Sequence, residues 1–267
     1  MIQLSCANHP QDSLTLKIQY QPEKKYHQIT ERTSQTIIKY AGSEKSIQKL
    51  KDRGIQNPTI TNRKSKTETV LKTGQPIDGK NFPVTMKYIK SSASKGKIEI
   101  PDGTIFHGQF IGGDVPVFDS VEAGGLDAKD KRALIRNLQN TFSQLSFHGE
   151  KLKIGEQFSG EKPLSIPMEG STIEMVVTTN YKLISISNHI ARFNISQVYT
   201  MSPKLMDNSF KGTGNGKGQL LYDITNKVIL NYAIDTEMEL NKKLDSFDFE
   251  LKAKSGIIQT TNVSNNQ

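Results

Sequence analysis

Along most of the chain apolar side chains recur at every second position, which is the spacing that lines one face of a β-strand, because successive side chains of an extended backbone point to opposite sides. The clearest run has Val228, Leu230, Tyr232, Ile234, Met238 and Leu240 on one parity and Asn231, Asp235, Glu237 and Glu239 on the other. Such a strand has one dry and one wet face. Phe247, Phe249, Leu251 and Ala253 alternate in the same way with Asp248, Glu250, Lys252 and Lys254, and the stretch from Asn241 to Ser246 reads as the turn between them. Upstream, Ile173, Met175, Val177, Tyr181 and Leu183 share a parity, and Phe193, Ile195, Tyr199 and Met201 follow after a turn near Ser187-Asn188.

In the first third, Leu14, Leu16, Ile18 and Tyr20 predict a short strand, and Tyr26 to Tyr40 a longer one rich in Thr and Gln. Further strands are predicted at Thr67 to Lys72, Val84 to Lys90, Lys97 to Ile100 and Thr104 to Ile111. The total of roughly ten to twelve strands with short turns predicts a mainly β fold, a large antiparallel sheet curved into a half-barrel or barrel.

One segment follows a different period. From Ala128 to Leu145, the residues Leu134, Ile135, Leu138, Phe142 and Leu145 recur at helical spacing, with Asp127 and Asp130 placed to cap the N-terminal turn. Its back carries Lys131, Arg132, Arg136 and Gln139, so the apolar stripe is expected to pack on or in the curved sheet. The resulting organisation is a polar tether over residues 1–13, a single β domain over 14–260 with its helix at 128–145, and a disordered tail over 261–267.

The composition, 267 residues with 34% hydrophobic, suits one globular domain with a real core. A single cysteine, Cys6, rules out a disulfide framework and a thiolate zinc cage. His9, His27, His107, His148 and His189 show none of the paired spacings of helical metal sites. No apolar run is long enough for a membrane-spanning helix. The net charge of +8 is unevenly spread: residues 1–100 hold 18 basic and 8 acidic side chains. These lysines stand singly among Ser, Thr and Gln, as on solvent-facing strand positions, and no aromatic residues interleave with them, so nucleic acid is not the expected partner.

Candidate chemistry is sparse. The run Gly212 to Gly218 has the look of a phosphate loop but the wrong spacing, and the strand-like Leu220, Leu221 and Tyr222 follow it where a helix is needed. Gly214, Gly216 and Gly218 instead share a strand face with Leu220 and Tyr222, where missing side chains make a sharp bend or a space for another element or a ligand. Asp235, Glu237 and Glu239 form a solvated row, not a calcium loop. No nucleophile elbow is present, and an enzyme would have to set His107 or His148 beside a carboxylate in a cleft. No catalytic residue, metal site or cofactor is assigned.

Ser5-Cys6 followed by a polar tether resembles the end of a bacterial lipoprotein signal, in which the cysteine is acylated; the alternative is an ordinary thiol near a frayed end. Three further stretches carry a family resemblance: 152–158 (Leu152-Lys153-Ile154-Gly155-Glu156-Gln157-Phe158), 179–183 (Thr179-Asn180-Tyr181-Lys182-Leu183) and 214–223, from Gly214 to Asp223. Together they resemble an uncharacterised family of Gram-negative envelope proteins, domain of unknown function 6263, with Phe158 where that family often has Trp. In outline the chain is also similar to lipoprotein-carrier half-barrels. The resemblance implies a cell-envelope address, periplasmic or anchored in the outer membrane through Cys6. The expected function is non-enzymatic binding of a lipid-like or amphipathic ligand in the sheet's concavity, with Gly214, Gly216, Gly218, Leu220 and Tyr222 on one side and Leu134, Leu138 and Phe142 of the helix on the other. The alternative is an accessory subunit that docks on an outer-membrane or secretion complex.

Overall fold

The computed structural model describes residues 12–93, 100–112, 115–144, 147, 149–168, 171–201, 210–243 and 247–266. The elements run β1 (Ser13–Leu16), β2 (Lys24–Gly42), α1 (Glu44–Asp52), β3 (Thr59–Thr73), β4 (Phe82–Ala93), β5 (Ile105–Phe110) and β6 (Pro116–Glu122). They continue through α2 (Ala128–Gln144), β7 (Glu150–Lys153), β8 (Gln157–Met168), β9 (Ser171–Ser187), β10 (Ile190–Met201), β11 (Phe210–Asp223), β12 (Val228–Lys243) and β13 (Phe247–Asn265). Eleven strands form one antiparallel sheet in the order β6-β5-β4-β3-β2-β13-β12-β11-β10-β9-β8, and β1 pairs with β7 in a small second sheet. The large sheet is curved but not closed into a barrel.

Two meanders, β2 to β6 and β8 to β13, are joined by the pairing of β2 with β13. Because the ladder is continuous, one parity propagates from strand to strand: Tyr40 faces Phe249, Leu251 faces Leu240, and Leu220 faces Phe193. The helix and the small sheet cover the dry face on different halves. Leu134 and Leu138 of α2 pack with Tyr26, Leu71, Phe106 and Phe118 of the first meander. Leu14, Leu16 and Leu152 of β1 and β7 pack with Leu183, Phe193 and Leu220 of the second. Tyr20 touches both clusters. A third cluster, centred on Ile173, Met175, Leu240, Phe249 and Leu251, closes the far end of the second meander. Each fully buried side chain of this size stabilises the fold by roughly 1.5–3 kcal/mol.

Several expectations need correction. Residues 261–265 are not a disordered tail, since β13 continues to Asn265 and Thr261 to Asn265 pair with Gln28 to Lys24 of β2. A second helix, α1, is present; Ser43 caps it by accepting a hydrogen bond from the Ser46 N–H, while only Ile47 and Leu50 supply an apolar side, too few to stand out as a stripe. The strand expected from Leu14 to Tyr20 stops at Leu16, after which the chain crosses the core. Residues Asn241 to Lys243 belong to β12 rather than to a turn. The described residues form thirteen strands, against the ten to twelve expected. The helix at 128 begins as expected, with the Asp127 carboxylate accepting from the Asp130 N–H at 2.8 Å. Leu145 and most of the strand expected at Lys97 to Ile100 lie outside the described residues.

Candidate functional site

Gly212, Gly214, Gly216 and Gly218 do line one face of β11, the same face as Leu220 and Tyr222. The space their missing side chains leave is filled by the neighbouring strand. A Cβ on Gly218 would sit 2.1 Å from the Ala233 carbonyl oxygen, and one on Gly214 would sit 2.8 Å from the Glu237 carbonyl oxygen. At Gly216 the neighbours are the Thr236 methyl at 2.9 Å and Gln197, and at Gly212 they are Leu240 and Met201. The column therefore brings β11 and β12 close enough to bend, and what it accommodates is the chain's own atoms.

The structure does not unite the residues singled out along the sequence. Leu220 and Tyr222 belong to the cluster under β1 and β7, with the Tyr222 hydroxyl donating to the Lys17 carbonyl at 2.6 Å. Leu134 and Leu138 of α2, with the partly buried Phe142, belong to the other half. The space beside the helix, lined by Tyr20, Tyr26, Leu71, Phe142, Val228 and Thr261 among others, measures about 40 Å³. That is room for a water molecule or so, against the roughly 300–1,000 Å³ of small-molecule pockets.

A larger cleft of about 710 Å³ lies at the far ends of β2, β11, β12 and β13, where the loop between α1 and β3 approaches them. Tyr40 and Phe249 line it with their rings 5.8 Å apart. The loop is fixed to β2 by Asn57, whose side chain accepts from the Tyr40 N–H at 3.0 Å and donates to the Tyr40 carbonyl at 2.7 Å. Lys39, Lys211, Lys242 and Lys243 line the cleft against two carboxylates, Asp248 and Glu250. Glu250 is engaged by Lys252 at 3.1 Å, so the cleft carries an excess of positive charge beside an aromatic floor. Sequence reasoning assigned Lys242 and Lys243 to a turn and missed this site; the signal was Lys242 on the dry parity next to Phe249.

Between the second and third clusters, polar groups cross the dry face. Gln197 donates to Thr179 at 3.0 Å, Tyr199 donates to Gln197 at 2.8 Å, and Thr236 bonds Ser255 at 2.6 Å. Burial pushes the phenols of this half upward, Tyr181 to about 12 and Tyr222 to about 12, because the phenolate would lose its water. Tyr181 stacks on Phe158 at 4.8 Å, and Phe147 meets both edge-on. His107 lies beside Glu122 at 2.8 Å but lines none of these cavities. Cys6 and His148 lie outside the described residues.

No family model and no curated protein matches the chain. Among solved structures it is similar to the V. cholerae type IV competence pilus secretin PilQ, at 8% identity over 97% of this chain and 62% of the secretin, with a TM-score of 0.21. It is also similar to an outer membrane channel from Pseudomonas putida, at 6% identity over 97% of this chain and 100% of the channel, with a TM-score of 0.20. The chain thus spans under two thirds of the secretin's length. At such scores neither likeness bears on fold or function.

Proposed function

We propose that the protein is a non-enzymatic binding protein of the bacterial cell envelope that holds an apolar or amphipathic ligand, and that the ligand occupies the cleft beside Tyr40 and Phe249. The observation that carries this reading is the cleft's volume of about 710 Å³, which falls within the range of ligand pockets, whereas the space beside α2 does not. The envelope address is supported by the Ser5-Cys6 motif and by the resemblance carried by the segments at 152–158, 179–183 and 214–223. The test is binding of a fluorescent fatty-acid probe. Lys242→Trp, which projects into the cleft from the parity of Phe249, should weaken probe binding about ten-fold with Tm little changed. Full binding by that variant would sink the cleft assignment. Native mass spectrometry of protein extracted from bacterial membranes checks the address: an acyl mass on Cys6 supports it and a bare polypeptide overturns it.

The second reading, an accessory subunit docking through a strand edge, would use β6 or β8 at the ends of the large sheet. The outer edge of β6 is occupied by Gln139 of α2, which accepts from the Phe118 N–H at 3.2 Å and donates to the Pro116 carbonyl at 2.8 Å. Among the described residues the edge strand β8 pairs with β9 alone, but Lys162 on its dry parity and Pro163, which has no N–H, are the features by which edges resist pairing. This favours the ligand reading.

A further inference from the structure

Part of the charge excess of the first 100 residues is gathered on one face by folding. The register of β2, β3 and β4 places Lys25, Lys64, Lys66, Lys72, Lys87 and Lys90 on one face, the one opposite the buried Tyr26, Leu71 and Met86. Only Glu31 and Glu68 share that face on these strands. Both are already committed, Glu31 to Lys66 at 2.7 Å and Glu68 to His27 at 2.8 Å. Lys25 and Lys72 stand directly opposite each other across β2 and β3. Like charges in that position repel and weaken a sheet, so the pair costs stability that no carboxylate among the described residues offsets. The corresponding face of β12 and β13 is built differently: Lys252 bridges Glu239 and Glu250, and Lys254 meets Glu237.

From this placement we infer that the outer face of β2, β3 and β4 docks on an anionic lipid surface. Lysines gathered on one face attract the negative surface potential of acidic lipids without needing a pocket. Exposed Ile60 and Ile89 lie among them, at 55% and 40% exposure, and apolar side chains between lysines suit the boundary of head groups and acyl chains. A nucleic acid is the less suited polyanion. The Tyr and Phe residues of these strands, Tyr26, Tyr40, Phe82 and Tyr88, belong to the opposite face, and so do Arg32 and Arg63, leaving no Tyr, Phe or Arg stacking platform on the basic side. The contact is independent of acylation at Cys6 and of the proposed cleft.

The experiment uses the full chain carrying Cys6→Ser, so that no acyl anchor contributes, and vesicles either of phosphatidylcholine alone or of phosphatidylcholine mixed equally with phosphatidylglycerol. The expected result is sedimentation with the acidic vesicles only, lost as salt rises from roughly 50 to 300 mM. The combined variant Lys72→Glu, Lys87→Glu and Lys90→Glu should lower the partition about ten-fold or more, given the typical contribution of each lysine near an acidic surface. The charge-matched control Lys182→Glu, Arg192→Glu and Lys217→Glu, on the outer face of β9, β10 and β11, should change it less than about two-fold. All six positions are exposed. If the first variant fails to give a cooperative melt, the Gln versions of the same three lysines replace it. Equal loss in variant and control, no binding to acidic vesicles, or tighter binding to a single-stranded oligonucleotide at the same salt would each overturn the inference.

Discussion

The carbonyl oxygen of Ala233 in β12 lies 2.1 Å from where a Cβ on Gly218 of β11 would sit, nearer than any bonded side chain allows. A matching approach occurs in the other meander, where a Cβ on Gly108 would sit 2.1 Å from the Val117 carbonyl oxygen. Each glycine lies close to an irregularity in the ladder, between His107 and Gly108 in one and between Leu221 and Tyr222 in the other. Glycine and bulge together let adjacent strands coil sharply. Gly218→Ala should accordingly destabilise the protein by about 3 kcal/mol or more, because the obstructing atom is backbone. Gly216→Ala meets only the Thr236 methyl and Gln197, which can turn aside, and should cost about 1 kcal/mol. Urea unfolding of the two variants measures the difference, and equal costs would argue against backbone approach as the reason for glycine at 218.

Gln139→Ala should remove the group that occupies the outer edge of β6. The Phe118 N–H and the Pro116 carbonyl then lose their partner, a loss of about 1–3 kcal/mol for partly buried groups. Light scattering should also rise with concentration, since an uncovered edge recruits other strands.

Lys162→Ile tests the guard on the other edge. Partial burial holds the Lys162 ammonium below its ordinary pKa, so an apolar replacement should raise the urea midpoint. The same change should turn β8 into a pairing edge, read as a shift from monomer to dimer by light scattering coupled to gel filtration.

Alkaline titration should separate folded from unfolded protein. Seven of the eight tyrosines have their phenols pushed up, in each case chiefly by burial. A group with a raised pKa in the folded state adds stability that is whole below its unfolded value of 10.0 and lost as pH rises through the folded value. Stability should therefore hold up to about pH 10 and fall between about 10 and 12, where the unfolded chain releases protons that Tyr181 and Tyr222 retain. Absorbance at the phenolate band, in buffer and in urea, records both curves; superimposable curves would contradict the burial.

The strand pattern was legible because a sheet with one dry face writes its parity into the chain: Leu240, Leu251 and Phe249 could be placed on a common face before their neighbours were known. So could the helix at Ala128, whose stripe and Asp127 cap both appear in the sequence. What period two does not carry is which strands meet. The pairing of β2 with β13 joins residues more than 200 positions apart, and it is this pairing that turns residues 261–265 from a polar end into a central strand. The same limit applies to the glycine column. Gly214, Gly216 and Gly218 read equally well as space for a ligand or as space for a neighbouring strand, and only the position of Ala233 and Glu237 distinguishes the two. The cleft at Tyr40 and Phe249 is assembled from four strand ends and a loop, and no local spacing announces such a gathering.

The ladder between Lys24–Gly42 and Phe247–Asn265 has a consequence for how the protein is made. On the ribosome the first meander emerges with β2 lacking the partner that will flank it on one side, and that partner is the final strand of the second meander. The large sheet is completed only once β13 has left the exit tunnel, by closing a loop that contains nearly the whole domain. Until then both meanders expose an unpaired edge, the kind of surface that holding chaperones cover. A domain kept open in this way stays threadable for as long as β13 is withheld.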